Sequence, residues 1–181
     1  MKSLSKLFLL FSLVAFVNAS LYGQYFKEKD KVLNFGIGFG SVLYGSGNSS
    51  AFPPLSASFE YGLKEGVGPG VIGLGGLLGY TSAKYDIGFG NNWKESYTVI
   101  GVRGIYHLVD LAEKLDAYGG IMLGYSIVSV SGDVGTFSAS SSRANFSIFA
   151  GARYYLTEKF AVMAELGYGF AILNVGVAVK F

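Results

Sequence analysis

Eight times between Lys31 and Phe181, large apolar side chains alternate with small or polar ones over stretches of about ten residues. A period of two places successive side chains on opposite faces of a strand. In 31–44, Leu33, Phe35, Ile37 and Phe39 oppose Asn34, Gly36, Gly38 and Gly40. In 55–64, Leu55, Ala57, Phe59, Tyr61 and Leu63 oppose Ser56, Ser58, Glu60, Gly62 and Lys64. The run 71–83 sets Ile72, Leu74, Leu78 and Tyr80 on one face. In 96–108, Thr98, Ile100, Val102, Tyr106 and Leu108 oppose Tyr97, Gly101, Arg103 and His107. In 116–128, Ile121, Leu123, Tyr125 and Ile127 oppose Tyr118, Gly120, Gly124 and Ser126. In 144–156, Phe146, Ile148, Ala150, Ala152, Tyr154 and Leu156 oppose Asn145, Ser147, Gly151, Arg153 and Tyr155. In 160–170, Val162, Leu166, Tyr168 and Phe170 oppose Met163, Glu165, Gly167 and Gly169. The last stretch, "ILNVGVAVKF" (172–181), sets Leu173, Val175, Val177, Val179 and Phe181 against Asn174, Gly176, Ala178 and Lys180.

Strands so patterned can wrap a soluble core or face lipid, and the N-terminus bears on the choice. Lys2 and Lys6 form a basic start, 7–17 is apolar, and Val17-Asn18-Ala19 has the small residues of a cleavage site before Ser20. This is a secretory signal peptide over 1–19, too short for the roughly 20 residues of a spanning helix. The signal carries two of the 14 Lys+Arg and none of the 12 Asp+Glu, so the pI of 8.6 is no argument for nucleic acid. The chain has no cysteine to staple an exported fold.

Only 14% of residues are charged, against ~25–35% on a soluble surface, while 16% are aromatic and mean hydropathy is +0.42. An exported chain this apolar should end in a membrane. The longest later apolar run, Gly70–Tyr80, is short and broken by glycines. Only helices and closed barrels can span a bilayer, so the expectation is all-β: an eight-stranded antiparallel up-and-down transmembrane β-barrel over 31–181, preceded by a short periplasmic segment, 20–30.

Eight strands enclose a space just wide enough for side chains. The glycine- and serine-rich face fits that space and the large apolar face fits lipid. Glu60, Lys64, Arg103, Arg153, Glu165 and Lys180 then point inward, where an unpaired charge is costly. They are expected to form a structural charge network in a filled lumen, not a wide channel. Connections 45–54, 84–95 and 129–143 are long and polar, while 65–70, 109–115 and 157–159 are shorter. The long side is extracellular by the barrel rule, and the last outer connection, near Phe170–Leu173, is tight. Tyr80, Tyr106, Tyr125, Tyr154, Phe160 and Phe181 suit interfacial girdles.

"IGVRGIYHL", "LDAYGGIMLGYSI" and "FAGARYYLTEKFAVMAELGYGFAILNVGVAVKF" together resemble the small eight-stranded outer-membrane β-barrels of Gram-negative bacteria. These are the OmpA/OmpX-like or porin-family group, in a form like that of Bacteroidetes. The resemblance spans most of the mature chain. It implies insertion by the outer-membrane assembly machinery, which reads a terminal aromatic, and Phe181 is the matching position. It implies no single activity, because members serve as anchors, adhesins or defence factors.

No catalytic constellation stands out. "GPGVIG" has the letters of a dinucleotide motif without the helix that the motif needs, and Gly75 and Gly79 sit in no apolar helix. His107 is the sole histidine, so one chain offers no multi-histidine metal site. Some small barrels of this kind modify lipid A with a His and a Ser. The deacylase-like spacing would put Ser two residues after the His, where Val109 stands. His107 is therefore expected as a rim histidine bonded to a neighbour. Trp93, with Asp86, Asn91 and Asn92, marks an outer loop that could hold a cation or a partner. Asn48-Ser49-Ser50 carries no glycosylation weight in a bacterial chain. The expected protein is a monomeric, non-enzymatic barrel without cofactor, in contact with outer-membrane lipid and presenting its outer loops. The alternatives are a lipid-modifying barrel enzyme and a soluble lipocalin-like carrier.

Overall fold

The computed structural model describes residues 25–44, 50–86, 92–132 and 138–181. The leader over 1–19, Asn48, Ser49 and Asn91 lie outside these residues. Strands β1 (Lys31–Phe39), β2 (Ser50–Glu65), β3 (Gly70–Asp86), β4 (Asn92–Ala112), β5 (Leu115–Gly132), β6 (Ser138–Tyr155), β7 (Phe160–Tyr168) and β8 (Leu173–Lys180) follow one another. Each pairs antiparallel with its sequence neighbours, and β8 pairs with β1, so the sheet closes into a barrel. Closure removes the unpaired edges that an open sheet would present. No helix among the described residues is long and apolar enough to cross a membrane.

The eight expected strands are present, but their bounds differ: at the inner end β4 runs on to Ala112, so most of 109–115 is strand, and the larger differences lie at the outer end. The ladder of β3 and β4 continues to Asp86↔Asn92, and that of β5 and β6 to Ser131↔Ser138. Much of the stretches 84–95 and 129–143 is thus paired strand rather than loop. Apolar alternation stops where these hairpins leave the apolar belt, while backbone pairing carries on through Ser, Lys and Glu. β1 errs the other way. It ends at Phe39, where Gly40 takes a left-handed φ of 68°, and Leu43 turns into the barrel and is buried. Only a residue without Cβ adopts that φ freely. The tight last outer connection turns on Gly169, with φ of 126°, and closes through a 2.9 Å bond from Gly167 N to Ile172 O.

β2 carries two bulges. One lies between Phe52 and Leu55 and absorbs Pro53 and Pro54, which cannot donate to a ladder. The other, between Gly62 and Lys64, pairs Lys64 with the partly exposed Ile72. Lys64 is therefore exposed and is not one of the inward charges, contrary to strict alternation.

The large apolar side chains lie outside. Phe35, Ile37, Leu78, Val102, Leu123, Ile148 and Leu166 are about half exposed or more. The interior is filled from both ends. At the outer end Leu43, Leu77, Tyr97, Val99, Ile105, Met122, Phe149 and Phe170 pack with Tyr118 as one cluster. At the inner end Phe26, Val32, Val71, Tyr155, Ala161 and Ala178 form a second. Phe26 belongs to the segment before β1, expected as a short periplasmic stretch ahead of the barrel, yet it packs inside the barrel's inner end. That segment runs along β2 through Lys29 N to Gly62 O (2.8 Å) and Gly62 N to Asp30 O (2.9 Å). A Cβ on Gly62 would strike the Lys27 carbonyl oxygen, so glycine there lets the segment lie close.

Candidate functional site

Between the two apolar clusters lies a band of buried charge. Inward positions on β2, β4, β5 and β6 supply Glu60, His107, Asp116 and Arg153, each about 1–2% exposed. The ladders set them side by side, with Asp116 directly opposite Arg153. Arg153 donates from Nη1 to Asp116 Oδ2 at 2.9 Å, from Nη2 to Glu60 Oε2, and from Nε to Asn34 Oδ1 at 3.0 Å. His107 meets Asp116 Oδ1 through Nδ1 at 2.6 Å and Glu60 Oε1 through Nε2. Both ring nitrogens face acceptors, so the imidazolium is the form this geometry holds. Two carboxylates then face two cations and the charges cancel. Phe26 stacks on the imidazole at a centroid distance of 3.9 Å, sealing it from the inner mouth.

A second pair lies farther along the lumen. Arg103 Nη2 donates to Glu165 Oε2 at 2.6 Å, and Tyr118 Oη reaches the same oxygen at 3.3 Å. Arg103 lies over the Phe149 ring at 3.7 Å, and Arg153 over Tyr118 at 4.5 Å. Tyr118 thus touches both groups. The cavity beside Arg103, lined also by Met122, Glu165 and Asn174, is about 20 Å³, on the order of a single water.

Glu60, Arg103, Arg153 and Glu165 thus lie together in the lumen. Lys180 does not join them. It sits at the inner mouth, where Nζ donates to the Tyr25 carbonyl at 2.8 Å and lies 3.5 Å from Asp30 Oδ2. The chain before β1 supplies that competing partner. His107 and Asp116 are the members that the list of inward charges omitted. Asp116 carries a legible signal, since it has the parity of Tyr118 and Gly120. His107 is not the rim residue that its place near the inner end of 96–108 suggests: Phe26, from the segment before β1, covers it and leaves it fully buried. Asp86 and Asn92 stand opposite each other at the tip of the β3–β4 ladder. Phe181 is 60% exposed, and its N–H donates to Lys31 O at 3.0 Å beside the β8–β1 seam.

A buried charge that loses its partner costs about 3–5 kcal/mol. The Arg103–Glu165 pair is slightly less enclosed, with side chains 5% and 11% exposed, so Glu165→Gln is expected at or below the low end of that range. The measurement is the urea midpoint of the detergent-folded barrel. An unchanged midpoint would show that Arg103 is satisfied without Glu165.

No family model matches the chain, and no curated protein does. Solved structures do match in fold. The N-terminal β-barrel domain of Pseudomonas aeruginosa OprF superposes with a TM-score of 0.54 at 18% identity, covering 86% of this chain and 98% of that one. Yersinia pestis Ail, the attachment invasion locus protein, crystallised with the heparin analogue sucrose octasulfate, gives 0.51 at 14% identity, covering 84% and 95%. At these identities the likeness is one of fold: the small eight-stranded barrel that the sequence resemblance implied.

Proposed function

We propose, for a chain that has the fold of the small outer-membrane barrels, that it is an integral outer-membrane protein whose lumen is a structural plug. Its role is then structural or one of surface interaction through the connections within 45–54, 84–95 and 129–143. The observation that carries this reading is the inversion of an ordinary soluble protein. Charges are buried in the middle of the barrel, while Phe35, Ile37, Val102, Leu123, Ile148 and Leu166 stand in the open around it. An exposed apolar surface of this extent is uncommon on a soluble monomer and is what hydrocarbon requires. Tyr106, Tyr154, Phe160 and Phe181 near the inner end match an interfacial belt. The packed lumen disfavours a diffusion channel, since barrels with an aqueous path use about 16–18 strands. His107 is committed to two carboxylates and to Phe26, which supports a structural role for it over lipid-modifying catalysis.

Leu123→Arg tests the membrane against the soluble alternative. Leu123 is 61% exposed and lies mid-strand, opposite Val102 and Phe146. In a bilayer, arginine near the midplane costs about 2–4 kcal/mol, whereas on a water-facing surface the change costs almost nothing. The expected result is a loss of heat-modifiable, vesicle-inserted protein, with insertion retained for Leu123→Ile. A fully folded Leu123→Arg protein in the soluble periplasmic fraction would overturn the membrane reading and favour a lipocalin-like carrier.

A further inference from the structure

Two buried polar atoms of the lumen have no hydrogen-bond partner, and their residues line one small cavity. Arg103 of β4 donates from Nη2 to Glu165 Oε2 at 2.6 Å and from Nη1 to Ser58 Oγ at 3.4 Å, while its Nε has no partner. Asn174 of β8 donates from Nδ2 to Ser56 Oγ at 3.0 Å, while its Oδ1 has none. Arg103 is 4% exposed and Asn174 6%. Among the described residues the one other such atom is the Tyr155 hydroxyl, at the inner end. Leaving a buried donor or acceptor unpaired is costly, and two in one place need a physical reason.

The two atoms are complementary. A guanidinium N–H can only donate, and an amide oxygen can only accept. The Asn174 amide lies against Gly36, where an added Cβ would strike Oδ1, Nδ2 and Cγ alike. With that side covered and Nδ2 turned to Ser56 of β2, the carbonyl edge is left for the β7 side, where Glu165 is the ladder partner of Asn174. Arg103, Glu165 and Asn174 line one cavity of about 20 Å³, walled otherwise by side chains such as Leu77, Met122 and Phe149. A bound water needs about 10–15 Å³ of such space and two to four polar partners. A cation there would meet the Arg103 guanidinium, and an anion the Glu165 carboxylate. Water both donates and accepts, so it meets neither obstacle.

We infer that this cavity binds a single water molecule, which accepts from Arg103 Nε and donates to Asn174 Oδ1, with its second hydrogen toward Glu165. The water links β4, β7 and β8 across the lumen. The site is enclosed by the barrel and does not depend on whether lipid surrounds it.

A crystal structure of the detergent-folded full chain, at a resolution that shows ordered water, is the test. One isolated peak is expected about 2.7–3.2 Å from both Arg103 Nε and Asn174 Oδ1. Asn174→Leu removes the acceptor at similar volume and should lose the peak, while Arg103 keeps Glu165. In solution, wild-type chain carrying isotope-labelled arginine should show direct magnetisation transfer from water to the Arg103 Nε–H. That measurement uses wild type alone, so it decides the matter even if Asn174→Leu does not fold. Absence of the peak in wild type, or of the transfer, overturns the site. So does a peak that persists unchanged in Asn174→Leu. An anomalous signal at the same place in crystals grown with bromide would overturn it too, because the occupant would then be an anion.

Discussion

Arg153→Met is expected to be the most damaging single lumen substitution, lowering the stability of the folded barrel by about 3–5 kcal/mol. Arg153 is 1% exposed and engages Glu60, Asp116 and Asn34 at once. Removing it leaves two buried carboxylates with only His107 between them. Methionine fills similar space and is flexible enough to avoid adding a large void, so the loss measures charge rather than packing. Urea unfolding of the detergent-folded protein reads it directly. The double variant Arg153→Met/Glu60→Gln should recover a substantial part, because it restores one carboxylate to one imidazolium. Strictly additive losses would mean that Glu60 and Arg153 do not act as a pair.

Deletion of Phe181 should sharply lower the amount of barrel in the outer membrane while leaving detergent refolding of purified chain largely intact. The two readouts separate two roles for the same residue. The Phe181 side chain is exposed, so the closed barrel loses one backbone bond, Phe181 N to Lys31 O, and some interfacial area. Such a loss is about 1 kcal/mol for the bond. Recognition of a terminal aromatic by the assembly machinery would instead make the effect large in cells. Normal outer-membrane levels of the deletion would reject the assembly role, and failure of the purified chain to refold would make Phe181 a stability residue.

The predicted faces and the observed ones agree along most of the strands but not at Phe170, which the alternation of 160–170 puts on the outer face: β7 ends at Tyr168, Gly169 turns the chain, and Phe170 is buried in the lumen. Phe35 and Ile37 lie outside, Asn34 and Ser58 inside, as a two-residue period requires. The rule fails at Lys64 because the bulge after Gly62 shifts the register. It also understates the hairpins of β3–β4 and β5–β6, where hydrogen bonds continue through residues whose side chains no longer report an apolar face. The band of charge was partly legible for the same reason. Glu60, Arg103, Arg153 and Glu165 each have inward parity, and Asp116 shares it.

What the sequence by itself determined is the strand count, the face each alternating residue takes, and the need for inward charges to find partners, because these follow from local periodicity and the cost of burying charge. What the tertiary structure alone decided is who partners whom. Cross-barrel contacts such as Arg153 with Asn34 or Arg103 with Glu165 join residues far apart in the chain, and their pairing depends on the stagger of the whole closed sheet. The tertiary structure also decided that Phe26 stacks on His107 and that Lys180 turns to Tyr25 and Asp30. Residues 25–30 have no periodicity of their own, and they occupy the inner mouth, where Phe26 joins the apolar cluster of Val32, Val71 and Tyr155.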